Sequence, residues 1–281
     1  MMDAFPAGFL AGLAAAMLCQ GILPLGRQLP SVDHDPSDSA KPLPVGMGLW
    51  AGLVLATGVM AIFQSGLAIP EQAALGAGRS IAWVALAALP AIALGAISDF
   101  GRQRSERHAL GLAGTGIILT LVGFSVFSVS SPLGGTVYLG GLLSALLTLL
   151  WLFLLVSIVE LSSLVPLGMA VLGVALPLVV VMIGGPQQSA ASYALAGITA
   201  GAVIGRLLAD LAQGRPAPYG KAEVFALGIW LTAMLNVAFL KSVVLVGFVL
   251  PLAVLASGII VLSIRAFERS LLLRDTPRRR S

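Results

Sequence analysis

The stretch TVYLGGLLSALLTLLWLFLLVSIVELSSLVPLGMAVLGVALPLVVVMIG, Thr136–Gly184, carries one charged residue, Glu160. A helix of about 20 apolar residues crosses the roughly 30 Å hydrocarbon core of a bilayer. The stretch therefore holds two expected spans, 136–158 and 163–184. Glu160, Ser162, Ser163 and Pro166 mark a short polar interruption between them. The same pattern recurs outward in both directions, at 4–24, 45–64, 80–97, 109–128, 191–212, 223–240 and 242–264. The expected fold class is an all-α polytopic membrane protein of about nine transmembrane helices. Residues 1–264 form one membrane domain, and residues 265–281 a basic tail.

Composition agrees. The 281 residues are 58% hydrophobic and 10% charged, whereas soluble domains carry about 25% charged residues. The many glycines and alanines read as close helix packing, because small residues let transmembrane backbones approach. Segment 4–24 follows Asp3 and has neither a basic leader nor an A-x-A cleavage pattern, so it reads as a retained span and not a signal peptide.

All of the Lys and Arg residues except Arg79 and Lys241 fall on one side of this serpentine. Cytoplasmic loops carry the excess of positive charge. The expected orientation is N-terminus outside and C-terminus cytoplasmic, in an inner membrane. The same rule accounts for the basic balance without nucleic acid as a partner. A single cysteine, Cys19, excludes an intrachain disulfide or a CxxC metal site. His34 and His108 read as residues of separate loops, so a His-rich metal cluster is not expected either.

Polar variety concentrates at four cytoplasmic stations. They are Val32-Asp33-His34-Asp35-Pro36 with Lys41-Pro42-Leu43-Pro44 and Gly48; Gly95 through Asp99; Trp151 through Gly168; and Arg215-Pro216-Ala217 through Ala226. Each acid has a plain structural reading. Asp99 opens a solvated loop, and Glu223 suits the positive end of a helix dipole. Asp210, four residues after Arg206, shares a helix face with it and is expected to pair with it. Glu160 is the most deeply placed acid, which makes it a functional candidate.

In this order the stations resemble the membrane family of polyprenyl-phosphate sugar-1-phosphate transferases, which includes the undecaprenyl-phosphate N-acetylglucosamine-1-phosphate and phospho-MurNAc-pentapeptide transferases. Val32-Asp33, Pro36, Lys41, Pro42, Pro44 and Gly48 echo the family's opening motif. Gly95 and Asp99 match its Gly-x-x-Asp-Asp, with Ser98 in the first Asp position. Aligned on Trp151 and Leu161, the family's two Asn become Ser157 and Glu160, and its two Asp become Ser163 and Pro166. Pro216-Ala217 matches its last motif, with Glu223 in an Asp position. The chain stops where family members continue with a His-rich loop and one more span.

The resemblance implies transfer of a sugar phosphate from a UDP-sugar to polyprenyl phosphate, with Mg²⁺. Asp99 and Glu223 are then the candidate catalytic and metal-binding acids. Lys41, Arg102, Arg104, Glu160, Ser163, Arg215 and Lys221 are the candidate substrate contacts. Three family carboxylates are replaced, at Ser98, Ser163 and Pro166. The expectation is a divergent, catalytically impaired homologue with weak or absent Mg²⁺ binding, which binds polyprenyl phosphate or a membrane-protein partner in envelope lipid metabolism. An active enzyme using Asp99, Glu160 and Glu223 as a rearranged acidic set, and an unrelated small-solute transporter, are the alternatives.

Overall fold

A computed structural model describes residues 3–27, 48–63, 81–100, 105–125, 128–130, 136–163, 168–184, 189–212 and 219–238. The expected ninth span, 242–264, and the basic tail lie outside the described residues, as do Lys41, Arg102, Arg104 and Arg215. The described chain is helical: α1 (Ala4–Arg27), α2 (Gly48–Phe63), α3 (Ala82–Phe100), α4 (Ser105–Leu121), α5 (Gly141–Ser163), α6 (Gly168–Gly184), α7 (Ala190–Ala212) and α8 (Lys221–Ala238). Between α4 and α5 a small antiparallel ribbon pairs β1 (Ser128–Ser130) with β2 (Thr136–Tyr138), Val129 opposite Val137. Two helices, α5 and α7, are each long and apolar enough to cross a membrane.

Several boundaries differ from expectation, and α6 starts at Gly168 where its expected span begins at 163. The span expected at 109–128 stops at Leu121. Gly123 has φ 88°, its N–H donates to Thr120 O (3.2 Å), and the Phe124 N–H donates to Leu119 O (2.8 Å). This pair of bonds is a Schellman cap, which needs a left-handed residue and uses glycine for it. The span expected at 136–158 is displaced to 141–163, because Thr136–Tyr138 joins the ribbon. Glu160, Ser162 and Ser163 of the polar interruption expected after residue 158 lie inside α5, and Pro166 lies outside the described residues. Ser162 Oγ donates to Ile158 O and Ser163 Oγ to Glu160 O, so both hydroxyls are satisfied by the helix itself. His108 also lies in the first turn of α4, not in a loop.

The tightest packing joins α1 and α7. Gly197, Gly201 and Gly205 face the backbones of Phe5, Phe9 and Leu13, and Gly8 and Gly12 face those of Ala194 and Ile198. The two stripes advance together, so the helices run parallel. A Cβ at Gly201 would stand 2.0 Å from Phe9 O. Only glycine permits that approach, the small-xxx-small contact of membrane helices.

Helix α8 is central. Every residue from Ala222 to Val237 is buried, the polar Glu223, Thr232 and Asn236 included. Its indole at Trp230 donates Nε1–H to Thr57 Oγ1 of α2 (2.9 Å). Asn236 Nδ2 donates to Phe124 O (2.9 Å), pinning the cap of α4. The surrounding helices turn large apolar side chains outward, among them Phe63 (80% exposed), Leu142 (78%) and Met182 (82%).

One end of the bundle collects the C-terminal parts of α1, α3, α5 and α7 and the N-terminal parts of α2, α4 and α8. Contacts establish this: Gly48 against Gln20, Gly95 against Ala222, Lys221 against Glu160 and Arg206 against Glu223. Among the described residues, Asp3 is the one charged position at the other end.

Candidate functional site

The polar end holds two clusters, on opposite sides of α8. The first is a buried ionic hub. Arg206, on the last turns of α7, is fully buried. Its Nε–H donates to Glu223 Oε1 at 3.1 Å, and its Nη1 pairs with Asp210 one turn along α7. The pair expected from the Arg206–Asp210 spacing therefore forms. Glu223 also accepts from the backbone N–H of Leu49 (3.2 Å, Oε1) and of Gly220 (3.4 Å, Oε2). The Gly220 bond is half of a capping box, in which a third-position Glu reaches back over its own helix start. Gln20 Nε2 donates to Asp210 Oδ1 at 3.4 Å. The hub thus ties α1, α2, α7 and α8 together.

Tyr219 closes the hub, with Arg206 Cζ 5.6 Å from its ring centroid. Burial raises the pKa of its phenol, the Glu223 carboxylate raises it further, and Arg206 partly offsets both.

The second cluster surrounds a cavity of about 360 Å³ between α4, α5 and α8. Leu112, Phe153, Val156 and Phe225 supply apolar walls, and His108, Ser157, Glu160 and Lys221 supply polar groups. Such a mixture, at the small end of the usual range of about 300–1,000 Å³, characterises small-molecule sites. Lys221 Nζ pairs with Glu160 Oε1, the two side chains being 39% and 48% exposed. Ser157 Oγ–H donates to Phe153 O (2.8 Å). The His108 ring meets the Phe225 ring edge-on, with centroids 5.5 Å apart. Its Nε2 is buried and has no hydrogen-bond partner among the described residues.

The candidates therefore separate. Glu160 and Lys221 meet at the cavity. Glu223 faces the hub, because residues two apart on a helix point to different sides while Lys221 and Phe225, four apart, share one. Ser163 lies beyond Glu160 and donates to its carbonyl oxygen. Asp99 lies one turn past Gly95, whose backbone abuts Lys221 and Ala222, so its backbone belongs to the same end. Sequence reasoning missed His108. Its one signal is position, directly before the first apolar residues of α4. Among the described residues no group of three or more His, Cys, Asp or Glu is placed to hold a metal ion. No protein-family model matches the chain, and no curated protein matches it.

Proposed function

We propose that the chain is a nine-span protein of the cytoplasmic membrane, with its N-terminus outside and its C-terminus inside. In this reading it is a divergent relative of the polyprenyl-phosphate sugar-1-phosphate transferases, working in envelope-polysaccharide or peptidoglycan lipid-intermediate metabolism. The observation that carries the reading is the gathering of charge at one end of an outwardly apolar helical bundle. Under the positive-inside rule that end is cytoplasmic, where a nucleotide sugar and a lipid phosphate both have access.

The chain's remaining activity is binding more than transfer. Phosphoryl transfer between two anionic substrates relies on Mg²⁺ held by carboxylates and phosphates. Two of the candidate acids are already engaged: Glu223 by Arg206 and two backbone N–H groups, and Glu160 by Lys221. Arg102, Arg104 and Arg215, together with the Glu160-paired Lys221, are the cations proposed to hold a lipid phosphate or a UDP-sugar without a metal. Membranes containing this protein alone are expected to release no UMP from UDP-N-acetylglucosamine and undecaprenyl phosphate, with or without Mg²⁺. Undecaprenyl phosphate is nonetheless expected to co-purify with the protein, less so when Arg102 and Arg104 are reversed to Glu. Mg²⁺-dependent UMP release, abolished by Asp99→Asn or Glu223→Gln, overturns the impaired reading. A reporter fused after Ser281 is expected in the cytoplasm, and a periplasmic signal overturns the topology.

A further inference from the structure

The cavity between α4, α5 and α8 has two features that a merely structural gap does not need. The first is His108, which lines the cavity; its Nε2 is buried and unpartnered among the described residues, and its ring is held by the edge-on Phe225. Leaving a buried polar atom unsatisfied is destabilising, a penalty that a ligand accepting or donating at Nε2 removes. The second is the Lys221–Glu160 pair at the polar side of the cavity. Both partners are 39–48% exposed, and exposed pairs contribute little. An anion entering the cavity meets an ammonium already covered by a carboxylate.

We propose that Glu160 is a built-in competitor in this cavity: an anionic head group displaces it from Lys221 and takes a second hydrogen bond from His108 Nε2–H, while the apolar tail lies along Leu112, Phe153, Val156 and Phe225. This rests on the reading that the polar end receives a lipid phosphate. It adds His108 to the site and gives Glu160 a role opposite to that of a substrate contact. Its carboxylate weakens binding, so that a ligand must offer more charge than one carboxylate to hold Lys221. A dianionic phosphomonoester does so, and a fatty-acid carboxylate does not.

The test uses the full chain in nanodiscs of zwitterionic lipid, with dodecyl phosphate, dodecanoate and inorganic phosphate as probes, followed by tryptophan fluorescence and calorimetry. Dodecyl phosphate is expected to bind. Glu160→Gln is expected to tighten it about fivefold, the upper worth of an exposed ion pair, and to let dodecanoate bind. His108→Ala is expected to weaken dodecyl phosphate about tenfold, the worth of a hydrogen bond to a charged group. His108→Gln, which keeps a donor, is expected to recover most of that loss, which a packing defect alone would not. Binding of inorganic phosphate with the same mutant pattern assigns recognition to the head group alone. Binding of dodecyl phosphate only assigns it to head and tail together, and both results support the site. Unchanged or weaker binding in Glu160→Gln overturns it, as do equal affinities for wild type and His108→Ala, or no binding of any probe to wild type and Glu160→Gln. If the dodecyl phosphate pattern holds while undecaprenyl phosphate fails to co-purify, the site stands and the envelope-lipid reading falls. If undecaprenyl phosphate co-purifies equally with wild type, Glu160→Gln and His108→Ala, the reading stands and this site falls.

Discussion

Replacing Arg206 by Met should be among the most damaging single changes in this chain. The guanidinium is fully buried and lies 3.1 Å from Glu223 Oε1 while pairing with Asp210. At that separation, and an effective dielectric constant of about 20, Coulomb's law gives about 5 kcal/mol of attraction before desolvation is subtracted. Much of that attraction offsets the cost of burying the charges, so the pair is a weak source of net stability. Removing one partner is different, because the desolvation of the others remains and nothing balances it. Breaking a buried pair in this way costs about 3–5 kcal/mol. Arg206→Met should therefore lower the unfolding free energy by about that amount, read by reversible unfolding in mixed detergent–SDS micelles. The triple variant Arg206→Met, Asp210→Asn, Glu223→Gln removes the charges together and should recover most of the loss, ending within about 2 kcal/mol of wild type. A cost below about 1 kcal/mol for Arg206→Met, the scale of an exposed pair, would refute the argument that the hub is dry and that its carboxylates depend on Arg206.

Gly201→Ala places a methyl group against Phe9 O and should cost about 1–3 kcal/mol in the same assay. Gly58→Ala in α2, where nothing among the described residues lies within 4 Å of the added carbon, should instead stabilise by about 0.5–1 kcal/mol. The Tyr219 phenol, with its pKa raised by burial and by Glu223, binds its proton more tightly folded than unfolded. Its contribution is fully present below the ordinary tyrosine range and is lost as pH rises through the raised value. Tyr219→Phe should accordingly flatten the alkaline fall in thermal stability; an identical alkaline limb in both proteins counts against a buried phenol. Titration with Mg²⁺ should show weak or no binding, and tight stoichiometric binding that Asp99→Asn abolishes would restore a working metal site.

Local regularities were legible in the sequence, and contacts between distant segments were not. The four-residue spacing of Arg206 and Asp210 announced their pair, because a helix puts such residues on one face. The abundance of glycine announced close packing, but not that α1 and α7 are the partners, since small-residue stripes are alike on every helix. Glu223 was legible as a helix-start acid. Its bonds to Leu49 and Arg206 were not, because they depend on which helix ends meet. The end of α5 was misplaced for a clear reason. Serine and glutamate read as a break in an apolar run, yet serine hydroxyls can bond back to helix carbonyls and stay inside. The displaced start of α5 reflects Thr136–Tyr138, whose β-branched and aromatic side chains suit a strand as well as an apolar helix.

The parallel embrace of α1 and α7 sets a schedule for making this protein. Gln20 and Asp210, bonded across that junction, are 190 residues apart in the chain. At a synthesis rate of about 5–20 residues per second, α1 leaves the ribosome about 10–40 seconds before α7 exists. During that interval Gly8 and Gly12 present a bare notch that fits any small-faced helix nearby. Early helices must therefore be inserted without their final neighbour, and the bundle closes only when its first and seventh helices meet. A ribosome that stalls between α2 and α7 would leave a fragment with an open notch, the kind of unfinished surface that membrane chaperones and proteases act upon.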